Sequence, residues 1–169
     1  VGPESLRDDL TRTLATELGK RGCFQSVTRF DPAKPAATPL VLALHGMGSN
    51  GLEQVTYSGL LELAQSRGFI LAYPDGTLYY GSRAWNASFT GVFLPSPDDV
   101  AYLRGVIADI ASTYNVDPKR IFVEGISNGA FMAYVLACVA SDYVAAIAPL
   151  SGTMWVAEET ACDPAERVA

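Results

Sequence analysis

Four runs of mainly apolar residues mark the chain, and each has the length of a buried β-strand. They cover residues 40–45, 69–73, 121–124 and 145–150. A strand with one face in water shows apolar residues at alternate positions, whereas these runs are apolar on both faces. We therefore expect a parallel sheet whose strands are covered by helices on both sides.

Segments with helical spacing lie between these runs. Apolar residues recur at helical intervals over residues 100–114, and residues 54–67 predict a shorter helix that ends at Gly68. Residues 128–140 are apolar nearly all round, which is typical of a buried helix. This alternation of strands and helices predicts an open α/β sheet. A further helix near the N-terminus is indicated by Leu6, Leu10, Leu14 and Leu18.

Composition and charge narrow the class of protein. The chain has 169 residues, of which 49% are hydrophobic and 18% charged, as expected for one globular domain. The formal net charge of −6 and the lack of a basic patch argue against a nucleic-acid partner. The longest apolar stretch, residues 130–140, is too short to span a bilayer. Since no charged leader with an apolar core is present, we expect any signal peptide to have been removed or to lie outside this sequence.

The three cysteines, Cys23, Cys138 and Cys162, allow two interpretations. In a secreted protein they would form one bridge and leave one thiol, whereas in a cytosolic protein all three would be buried thiols. None has the spacing or the neighbouring histidines of a zinc site, so no metal and no cofactor is expected. We predict that Cys138 pairs with Cys162, because the segment after the fourth apolar run could return over the last helix. Cys23 would then be free or bonded to a residue outside this chain.

The sequence Gly125-Ile126-Ser127-Asn128-Gly129 is the main candidate for chemistry. A G-x-S-x-G pattern alone is a weak signal, since average composition produces it by chance in about one chain of this length in twenty. Here an apolar strand leads directly into the motif and a buried helix leads out of it, which is the setting of a nucleophile elbow. We therefore predict that Ser127 is a catalytic nucleophile. The alternative is a surface turn that holds a serine without chemical use.

A glycine-rich loop follows the first predicted strand and begins at His45. Acyl transfer needs two backbone N–H donors for the oxyanion, one from the residue after the nucleophile and one from such a loop. This requirement predicts Asn128 and Met47 as the donors. His45, the only histidine of the chain, could be a base. Because the base in a fold with this elbow follows the serine in sequence, we favour a structural role in which His45 shapes the loop.

Seven segments occur together in an order and spacing that resemble one family. They are residues 44–48 (LHGMG), 73–77 (YPDGT), 85–87 (WNA), 98–103 (DDVAYL), 115–121 (NVDPKRI), 125–134 (GISNGAFMAY) and 145–152 (AAIAPLSG). The pattern is similar to that of the polyhydroxybutyrate depolymerase and feruloyl esterase group of secreted bacterial esterases. The resemblance covers roughly residues 38–153, and the first 35 or so residues match nothing in the family. It implies an α/β-hydrolase fold, three-layered and with a mostly parallel central sheet, and we assign residues 1–169 to one such domain.

The resemblance also implies roles for single residues. Ser127 would be the nucleophile, and Met47 and Asn128 would donate hydrogen bonds to the oxyanion. Trp85 would belong to the wall near the acyl site. We therefore consider Trp85 a candidate substrate-binding residue, and we include His45 with it because it begins the loop of Met47.

Two further features surround the helix predicted at residues 100–114. Asp98 and Asp99 precede this helix and are expected to cap it. The loop before the helix carries four aromatic residues that could form a binding surface, or of which half could equally belong to the core: Tyr79, Tyr80, Phe89 and Phe93.

The family places its triad acid and then its histidine after the strand at residues 145–150. No histidine follows Ser127 in this chain, and Asp163 is too close to the preceding strand to be the acid. Without a base the serine would be a poor nucleophile. We therefore expect that the chain is truncated before both residues and that the complete protein continues for about a hundred more.

These observations together indicate a serine carboxyl-ester hydrolase that is secreted or periplasmic. The resemblance implies that its substrates are small or polymeric esters of the polyhydroxyalkanoate, feruloyl or acetyl type. Two alternatives stay open. An acyltransferase or peptidase on the same scaffold would form the same acyl-enzyme, and the lack of a second histidine also permits an inactive binding protein.

Overall fold

Strands and helices alternate along the chain in the computed structural model, which describes residues 37–87, 97–154 and 162–169. In chain order the elements are β1 (Thr38–Leu44), α1 (Gly51–Ser58), α2 (Leu60–Arg67), β2 (Ile70–Ala72), β3 (Thr77–Tyr79), β4 (Ser82–Ala84), α3 (Asp99–Thr113), β5 (Val116–Ile126), α4 (Asn128–Val139) and β6 (Ala146–Leu150). Three sequence predictions lie outside the described residues: the helix from Leu6 to Leu18, the state of Cys23, and the placement of Phe89 and Phe93.

Four strands form one parallel sheet in the order β2-β1-β5-β6. In its central part, Leu42 of β1 lies between Ala72 of β2 and Val123 of β5. β3 and β4 form a separate antiparallel hairpin. Because the four sheet strands are parallel, all of their carboxyl ends lie at the same edge of the sheet.

Helices cover both faces of this sheet. Leu40, Leu42 and Leu44 of β1 are fully buried in a core that includes residues of α3 and α4. Successive side chains of a strand point to opposite faces, and Val41 and Ala43 accordingly pack in a second core with residues of α1 and α2. The prediction of a parallel sheet that is buried on both sides is therefore confirmed.

Residues 54–67, which the sequence predicts as part of one helix, belong to two helices. Gly59 has a left-handed conformation with φ of 68°, which ends α1, and α2 begins at the next residue. The apolar spacing continues across this break, so periodicity alone does not reveal it. The predicted end at Gly68 is confirmed, since its N–H donates to the Ala64 carbonyl at 2.9 Å.

Of the two carboxylates expected to cap α3, only one does so. Asp98 accepts a hydrogen bond from the N–H of Ala101 at 2.8 Å, as a cap residue should. Asp99 is instead buried and accepts from the N–H of Asn86 at 2.6 Å. Burial raises the pKa of the Asp99 carboxyl. Asp99 thus connects α3 to the segment that follows β4.

The predicted bridge between Cys138 and Cys162 is present. It attaches the last described segment to the C-terminal end of α4. In the same segment, the N–H of Ala169 donates to the Ala145 carbonyl at 3.2 Å, and its carbonyl accepts from the N–H of Ile147 at 2.9 Å. Two such bonds to residues two apart are the pattern of a parallel pairing at the free side of β6.

α4 is buried nearly all round, as its sequence predicts. It has 12 residues, whereas a span of the bilayer needs about 20. Among the described residues, no helix is long and apolar enough to cross a membrane.

Candidate active site

The loops at the carboxyl edge of the sheet bring the sequence-predicted site residues together. β1 ends at Leu44 and is followed by the loop of His45, while β5 leads into Ser127. The segment after β2 carries Asp75, and β6 is followed by Ser151. In open parallel sheets, ligands bind outside this edge.

Ser127 lies at the turn between β5 and α4 and is exposed. Its backbone has φ of 51° and ψ of −115°, a conformation that costs about 1–3 kcal/mol for a residue with a side chain. The turn is held by the Ser127 N–H, which donates to the Leu150 carbonyl at 2.9 Å, and by the Ser127 carbonyl, which accepts from Ala130 and Phe131. The strand–turn–helix context predicted for the motif is therefore present.

The two glycines of the motif permit close backbone approaches. A Cβ atom on Gly129 would collide with the carbonyls of Leu44 and His45, the latter at 2.8 Å. A Cβ atom on Gly125 would collide with the Gly129 carbonyl. Consequently α4 can start directly against the end of β1, which brings the loop after β1 next to the serine.

The loop that carries Met47 lies against Ser127. A Cβ atom built on Gly46 would be 3.6 Å from the Cβ of Ser127. The N–H of Gly48 donates to the Arg83 carbonyl at 2.8 Å, and the N–H of Ser49 donates to the Gly46 carbonyl at 3.1 Å. Within the described ranges, no hydrogen bond uses the N–H of Met47. The same holds for the N–H of Asn128, so both predicted donors are unused.

His45 is fully buried behind this loop, and both of its ring nitrogens have partners. Nε2 accepts a hydrogen bond from the N–H of Gly76 at 2.9 Å, so the proton is assigned to Nδ1, which donates to the Gly46 carbonyl at 2.8 Å. Burial lowers the pKa of the imidazole. The ring is therefore neutral and holds the loop, and neither nitrogen is presented to a ligand.

Trp85 is also fully buried, directly after β4. Its indole N–H donates to the His45 carbonyl at 3.0 Å, and the two rings lie 5.1 Å apart. Its backbone is bound by the side chain of Asn128: Oδ1 accepts from the Trp85 N–H at 2.7 Å, and Nδ2 donates to the Trp85 carbonyl at 3.1 Å. The indole thus lies behind the loop and shapes it from within the protein.

The β3–β4 hairpin that precedes Trp85 is a part of the site that sequence reasoning missed. Tyr80 and Gly81 at its turn both have positive φ, 46° and 83°, as a two-residue type I′ turn requires. Gly81 is a usual signal for such a turn, but tyrosine in place of Asn or Asp at the first position hides it. Tyr80 is fully exposed at this tip, whereas Tyr79 is half-buried.

Asp75 connects three of the loops at this edge. One carboxylate oxygen accepts from the N–H of Gly51 at 2.8 Å, and the other forms an ion pair with Arg83 at 3.3 Å. Arg83 also donates to the Gly76 carbonyl at 3.2 Å. The start of α1, the loop after β2 and the hairpin are therefore joined through one carboxylate.

A polar pair lies on the α1 side of the sheet, near the end of β5. The side-chain amide of Gln54, which is fully buried, donates to both oxygens of Glu124 at 2.9 Å. Tyr57 donates to the Gln54 carbonyl oxygen. Burial raises the pKa of the Glu124 carboxyl. These residues attach α1 to the strand that leads to Ser127. No motif in the sequence predicts this contact.

Asp163 is exposed and follows the bridged Cys162. No group of three or more His, Cys, Asp or Glu side chains that could hold a metal ion occurs in the part of the chain that the structure describes.

The sequence of this chain is similar to those of several esterases and of a depolymerase. No family model matches the chain. NocK of Nocardia uniformis subsp. tsuyamanensis, which carries a provisional esterase name, is 36% identical over 125 residues, which is 73% of this chain and 35% of NocK. Feruloyl esterase B of Piromyces equi is 34% identical over 113 residues, 67% of this chain and 20% of that protein. Poly(3-hydroxyalkanoate) depolymerase C of Paucimonas lemoignei is 28% identical over 132 residues, 78% of this chain and 32% of that protein.

Solved structures share the fold. An acetyl xylan esterase from Aspergillus awamori matches with a TM-score of 0.54 and 26% identity, over 72% of this chain and 44% of that one. Esterase PE8 matches with a TM-score of 0.59 and 20% identity, over 82% of this chain and 70% of that one. The chain therefore has the α/β-hydrolase fold, and the resemblance to the depolymerase and feruloyl esterase group is confirmed. It spans 35% or less of the length of the three relatives named above.

Proposed function

We propose that the protein is a serine carboxyl-ester hydrolase that acts through an acyl-enzyme on Ser127. The observation that carries this proposal is the conformation of Ser127, an exposed residue at φ of 51° between a parallel strand and a buried helix. Glycine would adopt this φ without strain. Ser151 shares this φ, but only Ser127 also begins a buried helix and lies next to the loop of Gly46. Serine in that combined setting favours a chemical use of the hydroxyl over a role as a turn.

In the proposed reaction, the Ser127 hydroxyl oxygen attacks the ester carbonyl carbon while its proton passes to a base. The base then gives this proton to the departing oxygen, so that the alcohol leaves. Water then attacks the acyl-serine, releases the carboxylic acid and restores the hydroxyl. The oxyanion of each tetrahedral intermediate would accept from the backbone N–H groups of Met47 and Asn128. Loss of one such donor typically costs about 3–4 kcal/mol in the transition state.

The base of this reaction is not His45, because both of its ring nitrogens are engaged inside the protein. His45 is the only histidine in the sequence. The proposal therefore includes a histidine and an acid that lie outside this chain and complete the triad. An active native protein with no more than the 169 residues shown would contradict this part of the proposal.

The test of the nucleophile is labelling by a fluorophosphonate, read out by peptide mass. We expect one label, on Ser127, and none in Ser127→Ala, which should retain less than about a thousandth of the wild-type turnover. Ser151 is a matched control, since it is also exposed, also has a positive φ of 52°, and also follows a parallel strand at the same edge. Ser151→Ala should label and turn over as the wild type does. Labelling of any other residue would overturn the proposal.

The substrate class is proposed from the names of the relatives, which include acetylxylan, feruloyl and poly(3-hydroxyalkanoate) esters. A panel of p-nitrophenyl acetate, methyl ferulate, acetylated xylan and a polyhydroxybutyrate film separates these classes by kcat/KM. Added acceptor alcohols separate hydrolysis from acyl transfer. Both reactions form the same acyl-enzyme, but a transferase passes the acyl group mainly to the alcohol rather than to water. A protein that binds these esters but is not labelled by the fluorophosphonate would be the inactive binding protein.

The same proposal places the protein outside the cytoplasm, in the periplasm or secreted. Its support is the bridge between Cys138 and Cys162, since such bonds persist in oxidising compartments. Thiol-trapping of the protein in its native cells, before lysis, tests this placement. Two reduced cysteines at these positions would contradict it.

A further inference from the structure

The side chain of Asn128 has a second use that the motif does not require. Both polar atoms of its amide bind the backbone of Trp85, Oδ1 to the N–H at 2.7 Å and Nδ2 to the carbonyl at 3.1 Å. The two residues are 43 positions apart in sequence, and the contact is buried. An amide is the side-chain group that offers one acceptor and one donor on the same carbon, so it fits both atoms of one backbone residue.

Trp85 in turn forms a hydrogen bond to the loop of Met47. Its indole N–H donates to the carbonyl of His45 at 3.0 Å, two residues before Met47. On the other side of Met47, the N–H of Gly48 donates to the carbonyl of Arg83 at 2.8 Å. The loop is therefore held on both sides of Met47 by the segment that consists of β4 and Trp85. The amide of Asn128 attaches that segment to the start of α4.

We propose that Asn128 is a positioning residue for the oxyanion loop. Its backbone N–H is one of the two proposed donors, and its side chain, through Trp85, fixes the distance from this N–H to the other donor at Met47. The inference rests on the proposed function, because it assigns the two N–H groups to one oxyanion. One residue thus supplies one donor and holds the second in register with it.

The expected size of the effect follows from how sharply catalysis depends on donor position. A displacement of about 1 Å in a reacting arrangement costs about 100-fold in rate, and complete loss of one donor costs about 100- to 1,000-fold in kcat. Without the amide, the segment of Trp85 keeps its hydrogen bonds to the loop but loses its attachment to α4. The donor at Met47 would then be displaced rather than lost.

The test compares three variants of the active protein that contains this chain. Asn128→Ala removes both bonds to Trp85, and Trp85→Phe keeps these bonds but removes the indole N–H that reaches His45. Asp117→Ala is the matched control, because it also removes a side-chain hydrogen bond to the backbone, from the N–H of Lys119, but at the amino-terminal end of β5, away from the loop. Asn128→Ala should lower kcat about 10- to 100-fold and Trp85→Phe about 10-fold, both with KM within about twofold of wild type. The control should change kcat less than about twofold.

Coupling between the first two variants is the sharper readout. If Asn128 acts through Trp85, the double variant should be no more than about threefold slower than Asn128→Ala alone, whereas independent roles would multiply the two losses. A kcat loss equal to that of the control, or a fully multiplicative double variant, would overturn the inference. Trp85→Phe alone still decides the matter if Asn128→Ala does not fold, since an unchanged kcat in that variant contradicts the link to the loop.

A readout that does not depend on catalysis separates this inference from the proposed function. Hydrogen–deuterium exchange of a peptide covering residues 45–50 should be at least about threefold faster in Asn128→Ala and in Trp85→Phe than in the control. Unchanged exchange in both variants would overturn the positioning role whatever the activity. If wild-type Ser127 takes no fluorophosphonate label but exchange is faster in the two variants, the proposed function is rejected. The structural link from Asn128 through Trp85 to the loop is then retained.

Discussion

Removal of the bridge between Cys138 and Cys162 is expected to lower the free energy of unfolding by about 3.5 kcal/mol. The cysteines are 24 positions apart, and closing a loop of about 25 residues restricts the unfolded chain by about 12 cal/mol/K in the chain-entropy treatment. In a chain of this length, 1 kcal/mol corresponds to about 2–4 °C in melting temperature. A Cys138→Ala/Cys162→Ala double variant should therefore melt about 7–14 °C below the wild type.

Circular dichroism melts of the wild type, the double variant and a Cys23→Ala control provide the assay. Thiol counting under denaturing, non-reducing conditions should find one of the three cysteines free, or none if Cys23 is bonded elsewhere. Reductant should lower the melting temperature of the wild type and of the control, and it should leave that of the double variant unchanged where Cys23 is free. Three free thiols would refute the pairing, and equal melting temperatures for the wild type and the double variant would refute the loop-entropy reasoning.

Three further predictions concern residues at the carboxyl edge. Ser127→Ala should leave the melting temperature unchanged or raise it by a few degrees, since only an exposed hydroxyl is lost while activity disappears; a fall of more than about 5 °C would show that the hydroxyl has a structural role. Gly129→Val should abolish folding, as judged by far-UV circular dichroism of purified protein, because its side chain would meet the Leu44 carbonyl. Because the pKa of His45 is lowered in the folded protein, its neutral ring contributes to the free energy of unfolding, and this contribution should be complete above about pH 6.5. That contribution should be lost as pH falls towards the folded-state pKa, because the unfolded chain binds the proton more readily. Urea midpoints from pH 8 to pH 4 measure this slope, which should be smaller in His45→Gln.

The sheet could be predicted from sequence because its strands are buried on both faces. Burial on both faces produces apolar runs of strand length, and each of the four runs is found as a strand with bounds that differ by up to five residues. The break at Gly59 could not be found in this way, since it interrupts the backbone without interrupting the apolar spacing. A single glycine in a helical pattern is compatible with a helix interior as well as with a left-handed end.

Some residues of the candidate site could be predicted from the sequence, and others could not. Ser127 and the loop of Met47 are marked by glycines, because close backbone approach leaves no room for a Cβ atom. The hydrogen bonds between Asn128 and Trp85 and between Gly51 and Asp75 join positions 43 and 24 residues apart. Such pairs carry no periodic signal, so only the folded structure reveals them.

The buried imidazole of His45 has a direct consequence for the second proposed donor. The Gly46 carbonyl and the Met47 N–H belong to one planar trans peptide unit, so they point in opposite directions. The carbonyl accepts from Nδ1 of His45 at 2.8 Å and from the N–H of Ser49 at 3.1 Å, which fixes the orientation of the whole unit. Protonation of the ring would remove the acceptor that Nε2 offers to Gly76 but would leave the Nδ1 donor in place. His45 therefore sets the direction of the Met47 N–H without touching a substrate, whereas Asn128 and Trp85 set its position.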